Sequence, residues 1–152
     1  MKATITLFIV LLALSACNNN TDKAPELTVN KPADLPAPIT TCYRYTANRD
    51  TIELTVTPTG DSIVGTLAYR LWEKDRNSGA FIGRMKGDLL IAEYTFQSEG
   101  GTSTRQVAFK KGTQSFEEGY GDVNATNDRV AFKNLDSLTF KGDIKLQEVS
   151  CQ

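Results

Sequence analysis

The sequence predicts an all-β domain over residues 42–152, a small antiparallel up-and-down barrel or closed sandwich of about 8–10 strands. Three observations predict it. From Cys42 onward, apolar residues recur at every second position, the period at which a strand places side chains on one face. Glycine, aspartate and asparagine break these runs at short intervals, as hairpin turns require. No window of eleven residues carries a helical apolar stripe, so no substantial helix is expected in this domain.

The elements follow in order. Residues 51–57 (TIELTVT) alternate without a fault. Leu67, Tyr69 and Leu71 share one face of the next run, and Phe81, Gly83 and Met85 one face of the run after it. Leu90, Ala92, Tyr94 and Phe96 follow, then Val107 and Phe109. Pro58-Thr59-Gly60-Asp61, Lys86-Gly87-Asp88 and Lys111-Gly112 read as short glycine-bearing turns. Stretches 72–79, 98–103 and 119–128 are longer and more polar, and read as loops. The strand pattern is weakest over residues 129–140.

Residues 1–16 are of a different kind. Lys2 supplies a positive start, and residues 5–14 (ITLFIVLLAL) form an apolar run broken only by Thr6. Ten residues of helix would reach about 15 Å, half of a bilayer's hydrocarbon thickness. Such a run ending in small residues reads as a signal peptide. Leu14-Ser15-Ala16-Cys17 resembles the bacterial lipobox, which implies cleavage before Cys17 and diacylation of its sulfur. Each buried CH₂ of an acyl chain contributes about 0.8 kcal/mol, so two or three chains would make a stable anchor. The resemblance implies an outer-membrane address, because Asn18 stands where an aspartate would signal inner-membrane retention.

Residues 17–41 then read as a lipidated cysteine and a flexible tether, with four of the chain's five prolines at Pro25, Pro32, Pro36 and Pro38. Residues 18–40 alone could extend to about 75 Å. The expected address is the cell envelope, on the periplasmic or the surface face.

The strand count carries a parity argument. In a meander, alternate turns fall at opposite ends, so the three tight glycine turns share one end. The loops 72–79, 98–103 and 119–128, together with residues 47–50, share the other. With an even number of strands, Cys42 and Cys151 both lie at the tight-turn end. Cys17 is committed to lipid, and an exported domain meets an oxidising compartment, so a Cys42–Cys151 disulfide is expected. The tether also leaves from that end, which points the long loops away from the membrane.

Composition narrows the function. Histidine is absent, which removes the commonest general base and metal ligand. Loss of Lys2 with the leader leaves 16 basic side chains against 18 acidic, without the basic excess of a nucleic-acid binder. No motif calls for a cofactor or metal.

The densest set of contact-type residues is Trp72, Glu73, Lys74 and Asp75. The competing reading is a solvated hairpin with the tryptophan folded over a barrel end. Glu99 and Arg105 flank a glycine turn and are expected to form an exposed ion pair across it. Glu117 and Glu118 are neighbours on one strand and face opposite sides, so with Glu93 they are expected to be solvated rather than catalytic. Tyr43, Tyr45, Tyr69, Tyr94, Phe81, Phe96 and Phe109 either fill the barrel or line an apolar pocket, and filling is the favoured reading.

Much of residues 42–151 resembles a group of uncharacterised envelope lipoproteins of Bacteroidota. The resemblance is carried by Cys42-Tyr43-Arg44-Tyr45, residues 60–67 (GDSIVGTL), Glu73-Lys74-Asp75, residues 92–100 (AEYTFQSEG) and residues 105–110 (RQVAFK). The architecture is also similar to membrane-bound lysozyme inhibitors, at the level of fold alone. A lipocalin would carry glycine two residues before the tryptophan, where Arg70 stands. The expected function is a non-enzymatic binding module for a protein or glycan partner met by the long-loop end. A carrier of a small apolar ligand in the barrel interior is the second expectation, and a lysozyme-inhibitor-like protein or a hydrolase comes after it.

Overall fold

The computed structural model describes residues 37–74, 76–98, 101–126 and 129–152. The expected signal peptide, lipobox with Cys17, and most of the expected tether lie outside the described residues, as do Asp75 and Glu99. Within the described residues the chain forms ten strands. These are β1 (Thr41–Ala47), β2 (Asp50–Thr59), β3 (Ser62–Arg70), β4 (Asn77–Lys86) and β5 (Leu89–Ser98). They continue as β6 (Gly101–Lys111), β7 (Ser115–Glu118), β8 (Val123–Thr126), β9 (Arg129–Phe132) and β10 (Lys145–Val149). One 3₁₀ turn, Leu135–Ser137, is capped by the Asn134 side chain. No described helix is long and apolar enough to cross a membrane.

Eight strands close into an antiparallel barrel in the order β1-β2-β3-β4-β5-β6-β7-β10, with β10 returning to β1. β8 and β9 lie outside it, and β9 pairs parallel to β6 at Thr104 and Arg105. The expected meander is therefore present, with one excursion between its last two strands.

An eight-strand barrel is just wide enough for its own side chains to fill. The period-two residues do this: Ile52, Leu54, Leu67, Leu90, Tyr94, Phe109, Phe116 and Leu146 are fully buried. Each such burial stabilises the fold by about 1.5–3 kcal/mol. Gly65 is required on the inner wall, because a Cβ there would stand 2.7 Å from the Phe81 ring and closer still to the Thr55 carbonyl. Gly60 takes a positive φ of 57° in the two-residue turn between Thr59 and Ser62, a geometry that costs glycine little.

The parity argument holds. The turns after β2, β4 and β6 lie at one end with Cys42 and Cys151, whose Cα atoms are 5.2 Å apart across a disulfide. The turns after β1, β3 and β5 and the excursion after β7 lie at the other.

Three loop expectations need correction. Residues 98–103 are not a long loop, because Ser98 pairs with Gly101 and only two residues separate the strands. The loop after β3 ends at Asn77, where pairing with Tyr69 begins. The stretch 119–128 contains β8, whose partner β9 occupies the weakly patterned segment that follows. In each case cross-strand pairing extended ordered backbone into polar sequence, which local composition does not register.

Candidate functional site

The end of the barrel opposite the disulfide is an aromatic-lined mouth. Arg105 has the same strand parity as Val107 and Phe109, so β6 sends its side chain inward. The guanidinium lies 4.8 Å from the Tyr69 ring centroid, 5.5 Å from Phe96 and 5.6 Å from Tyr94. A cation over ring faces is attracted by their quadrupoles, by about 0.5–2 kcal/mol depending on desolvation. Arg105 Nε is nonetheless buried with no hydrogen-bond partner. Arg105 thus belongs to the barrel interior rather than to an exposed rim, and Glu99, its expected partner, lies outside the described residues.

Glu118 corrects a second expectation. It shares parity with Phe116 on β7 and is only 8% exposed, not solvated. Tyr69 Oη donates to its Oε1 at 2.6 Å, and Tyr120 Oη donates to its Oε2 at 3.0 Å. Burial pushes the Glu118 carboxyl above its ordinary value, against the lowering effects of the two hydroxyls and of Arg105. Burial and the nearby carboxylate push the Tyr69 and Tyr120 hydroxyls up as well, so both are protonated donors at neutral pH. Glu117, on the other face as expected, instead accepts from the Gly142 amide at 2.6 Å.

The raised Glu118 value gives a pH prediction. The folded protein binds this proton more tightly than the unfolded chain does. The contribution to stability is therefore full below the ordinary value of 4.5 and is lost as pH rises through the raised one. Urea unfolding should show wild type losing stability relative to E118Q between pH 4.5 and neutrality. A difference constant across that range would mean that the carboxyl titrates alike in both states.

A cavity of about 350 Å³ opens here, lined by Arg105, Glu118, Tyr69, Tyr120, Asn77 and Lys74 among others. Asn77 Oδ1 is buried and, like Arg105 Nε, has no hydrogen-bond partner. Of the contact residues expected from sequence, Lys74 and Arg105 are brought to this cavity. Trp72 stands beside it, 53% exposed, with its backbone N–H donating to Asp50 Oδ1 and Arg49 3.8 Å above its ring. Glu73 is exposed, at a positive φ of 56°. Glu93 is held in a bidentate pair by Arg129 (2.6 and 2.9 Å), which clips β9 to the outer wall.

Sequence reasoning missed Tyr69, Glu118 and Tyr120 as a set. Phe116 and Glu118 share the inner face of β7, but a strand of four residues is too short to show that period in the sequence. Nothing local shows that Tyr69 arrives opposite Glu118. Among the described residues, no three His, Cys, Asp or Glu side chains converge as metal ligands. No protein-family model, curated protein or solved structure matches the chain.

Proposed function

We propose that the protein is a non-enzymatic binding module of the cell envelope, anchored through a lipidated Cys17, whose site is the mouth around Arg105. Arg105 carries this reading. It is a permanent cation set inside a barrel on three aromatic faces, with its Nε–H unanswered. A buried donor without an acceptor costs about 1–3 kcal/mol, and an apolar residue would complete the aromatic shell without that cost. Local rules broken at one place on a well-packed fold are a mark of functional sites. The exposed Trp72 and Lys74 flank the mouth and extend the surface that a protein or glycan would meet. The filled interior argues against apolar cargo within the barrel.

The lipobox resemblance, the proline-rich tether and the arrival of the chain at the disulfide end together support display of the mouth away from the membrane. The expected result is that wild type fractionates with membranes and C17S does not. With a photocrosslinker at Trp72, wild type should capture an envelope component that R105Q loses while remaining folded and membrane-bound. Capture unaffected by R105Q would overturn the site, and membrane retention of C17S would overturn the anchor.

A further inference from the structure

Resting on the proposed binding role of the mouth, we propose that its cavity takes a hydroxylated carboxylate of the sugar-acid class. Two residues of the cavity's lining each carry a buried polar atom without a partner. Arg105 Nε–H lacks an acceptor and Asn77 Oδ1 lacks a donor, and both residues line the same space. A ligand that satisfies both must bring an acceptor and a hydroxyl or similar donor. Arg105 and Lys74 make the charge of that acceptor negative, because a guanidinium binds carboxylate through short charge-assisted bonds.

Glu118 lines the same cavity and interacts with Arg105, but its two oxygens are already engaged and the two cations of the lining outnumber it. Glu118 has one oxygen bonded by Tyr69 and the other by Tyr120, and among the described residues no carboxylate lies within 4 Å of Arg105. Leu71 and Ile144, partly exposed in the lining, supply apolar wall, which suits the C–H face of a sugar ring. A volume of about 350 Å³ falls at the small end of ligand pockets and fits a single ring.

The larger groove on the outer wall, about 560 Å³, makes no comparable demand. Its Arg44, Glu53 and Arg70 are already paired with one another, and its Thr55 and Thr66 hydroxyls share a 2.7 Å hydrogen bond.

The test is calorimetric titration of the full chain in detergent micelles with D-glucuronate, D-glucose, hexanoate and a glucuronate oligosaccharide. Glucuronate or its oligomer is expected to bind at least about tenfold more tightly than glucose or hexanoate, with a loss of about tenfold or more in R105Q. Tighter binding of the monomer would identify a free sugar acid as the source, and tighter binding of the oligomer a glycan end. Circular dichroism checks that R105Q folds, and N77A, which removes the side-chain amide with its Oδ1 acceptor, should also weaken glucuronate but not hexanoate. Hexanoate binding as well as glucuronate, or R105Q and N77A both binding like wild type, would overturn the assignment. Arg105-dependent crosslinks without any sugar-acid binding would overturn the ligand class while leaving the mouth as the binding site. Loss of both would remove both.

Discussion

Replacing Cys42 and Cys151 together by serine is expected to lower the unfolding free energy by about 4–5 kcal/mol, the chain-entropy value for a loop near 100 residues. The two cysteines are 109 residues apart in sequence, and the bond joins the first barrel strand to the segment just after the last. β1 and β10 meet over only three paired positions, from Cys42–Val149 to Arg44–Gln147. β2 and β3, by contrast, pair over nine. The covalent link therefore spans one of the three barrel seams that pair over only three positions. For a domain of this size the expected loss corresponds to a fall of roughly 20 °C in Tm. Thermal unfolding of the double variant, with reductant added to wild type as a second route to the same state, measures it. A fall of only a few degrees by both routes would show that strand pairing and the core close the barrel by themselves.

Phe109→Ala is the second large effect, about 3–5 kcal/mol. Phe109 is fully buried on β6 and meets Phe116 of β7 edge-on, with centroids 6.4 Å apart. Phe116 in turn meets Tyr43 of β1 edge-on at 4.9 Å. This aromatic run crosses the region where β6–β7, β7–β10 and β10–β1 each pair over three positions, so side-chain packing there replaces hydrogen bonds that short strands cannot supply. Urea unfolding of F109A, alone and combined with C42S/C151S, should show a combined loss that differs from the sum of the two. Phe109 reaches the disulfide-bearing strand through Phe116 and Tyr43, and sites joined by direct packing couple. A loss under about 1 kcal/mol for F109A would mean that the surrounding side chains collapse into the space. Native domains are stable by only about 5–15 kcal/mol, so the combined variant should be substantially unfolded at physiological temperature.

Both predictions concern features that differ in how far the sequence reveals them. The disulfide was legible, because an even number of strands puts Cys42 and Cys151 at one end and they are the two cysteines left once Cys17 is assigned to lipid. The aromatic run was legible only in part. Phe109 and Tyr43 were named as interior residues from their period, while Phe116 lies in a strand of four residues, too short to display one.

The mouth divides in the same way. Arg105 and Lys74 were singled out for charge, yet Arg105 was placed on the surface because its neighbourhood reads as a turn. Pairing of Ser98 with Gly101 shortened that turn and carried Arg105 four residues into a strand. Trp72 is exposed in a polar turn, and the arginine over its ring comes from a different turn, Arg49.

What the sequence by itself determined is what depends on a period long enough to read: the longer strands, the inward face of their apolar residues, and the ends at which their turns fall. Only the tertiary structure decided what meets across the barrel. Tyr69 and Glu118 are 49 residues apart and share a hydrogen bond because β3 and β7 lie on opposite sides of the closed wall. β9 lies parallel against β6 because the excursion after β7 folds back outside the barrel. Alternation is local and repeats every two residues, so it can be read along the chain. The partner across an interior is set by how many strands close and by the stagger between them, a property of the whole ring that no single segment contains.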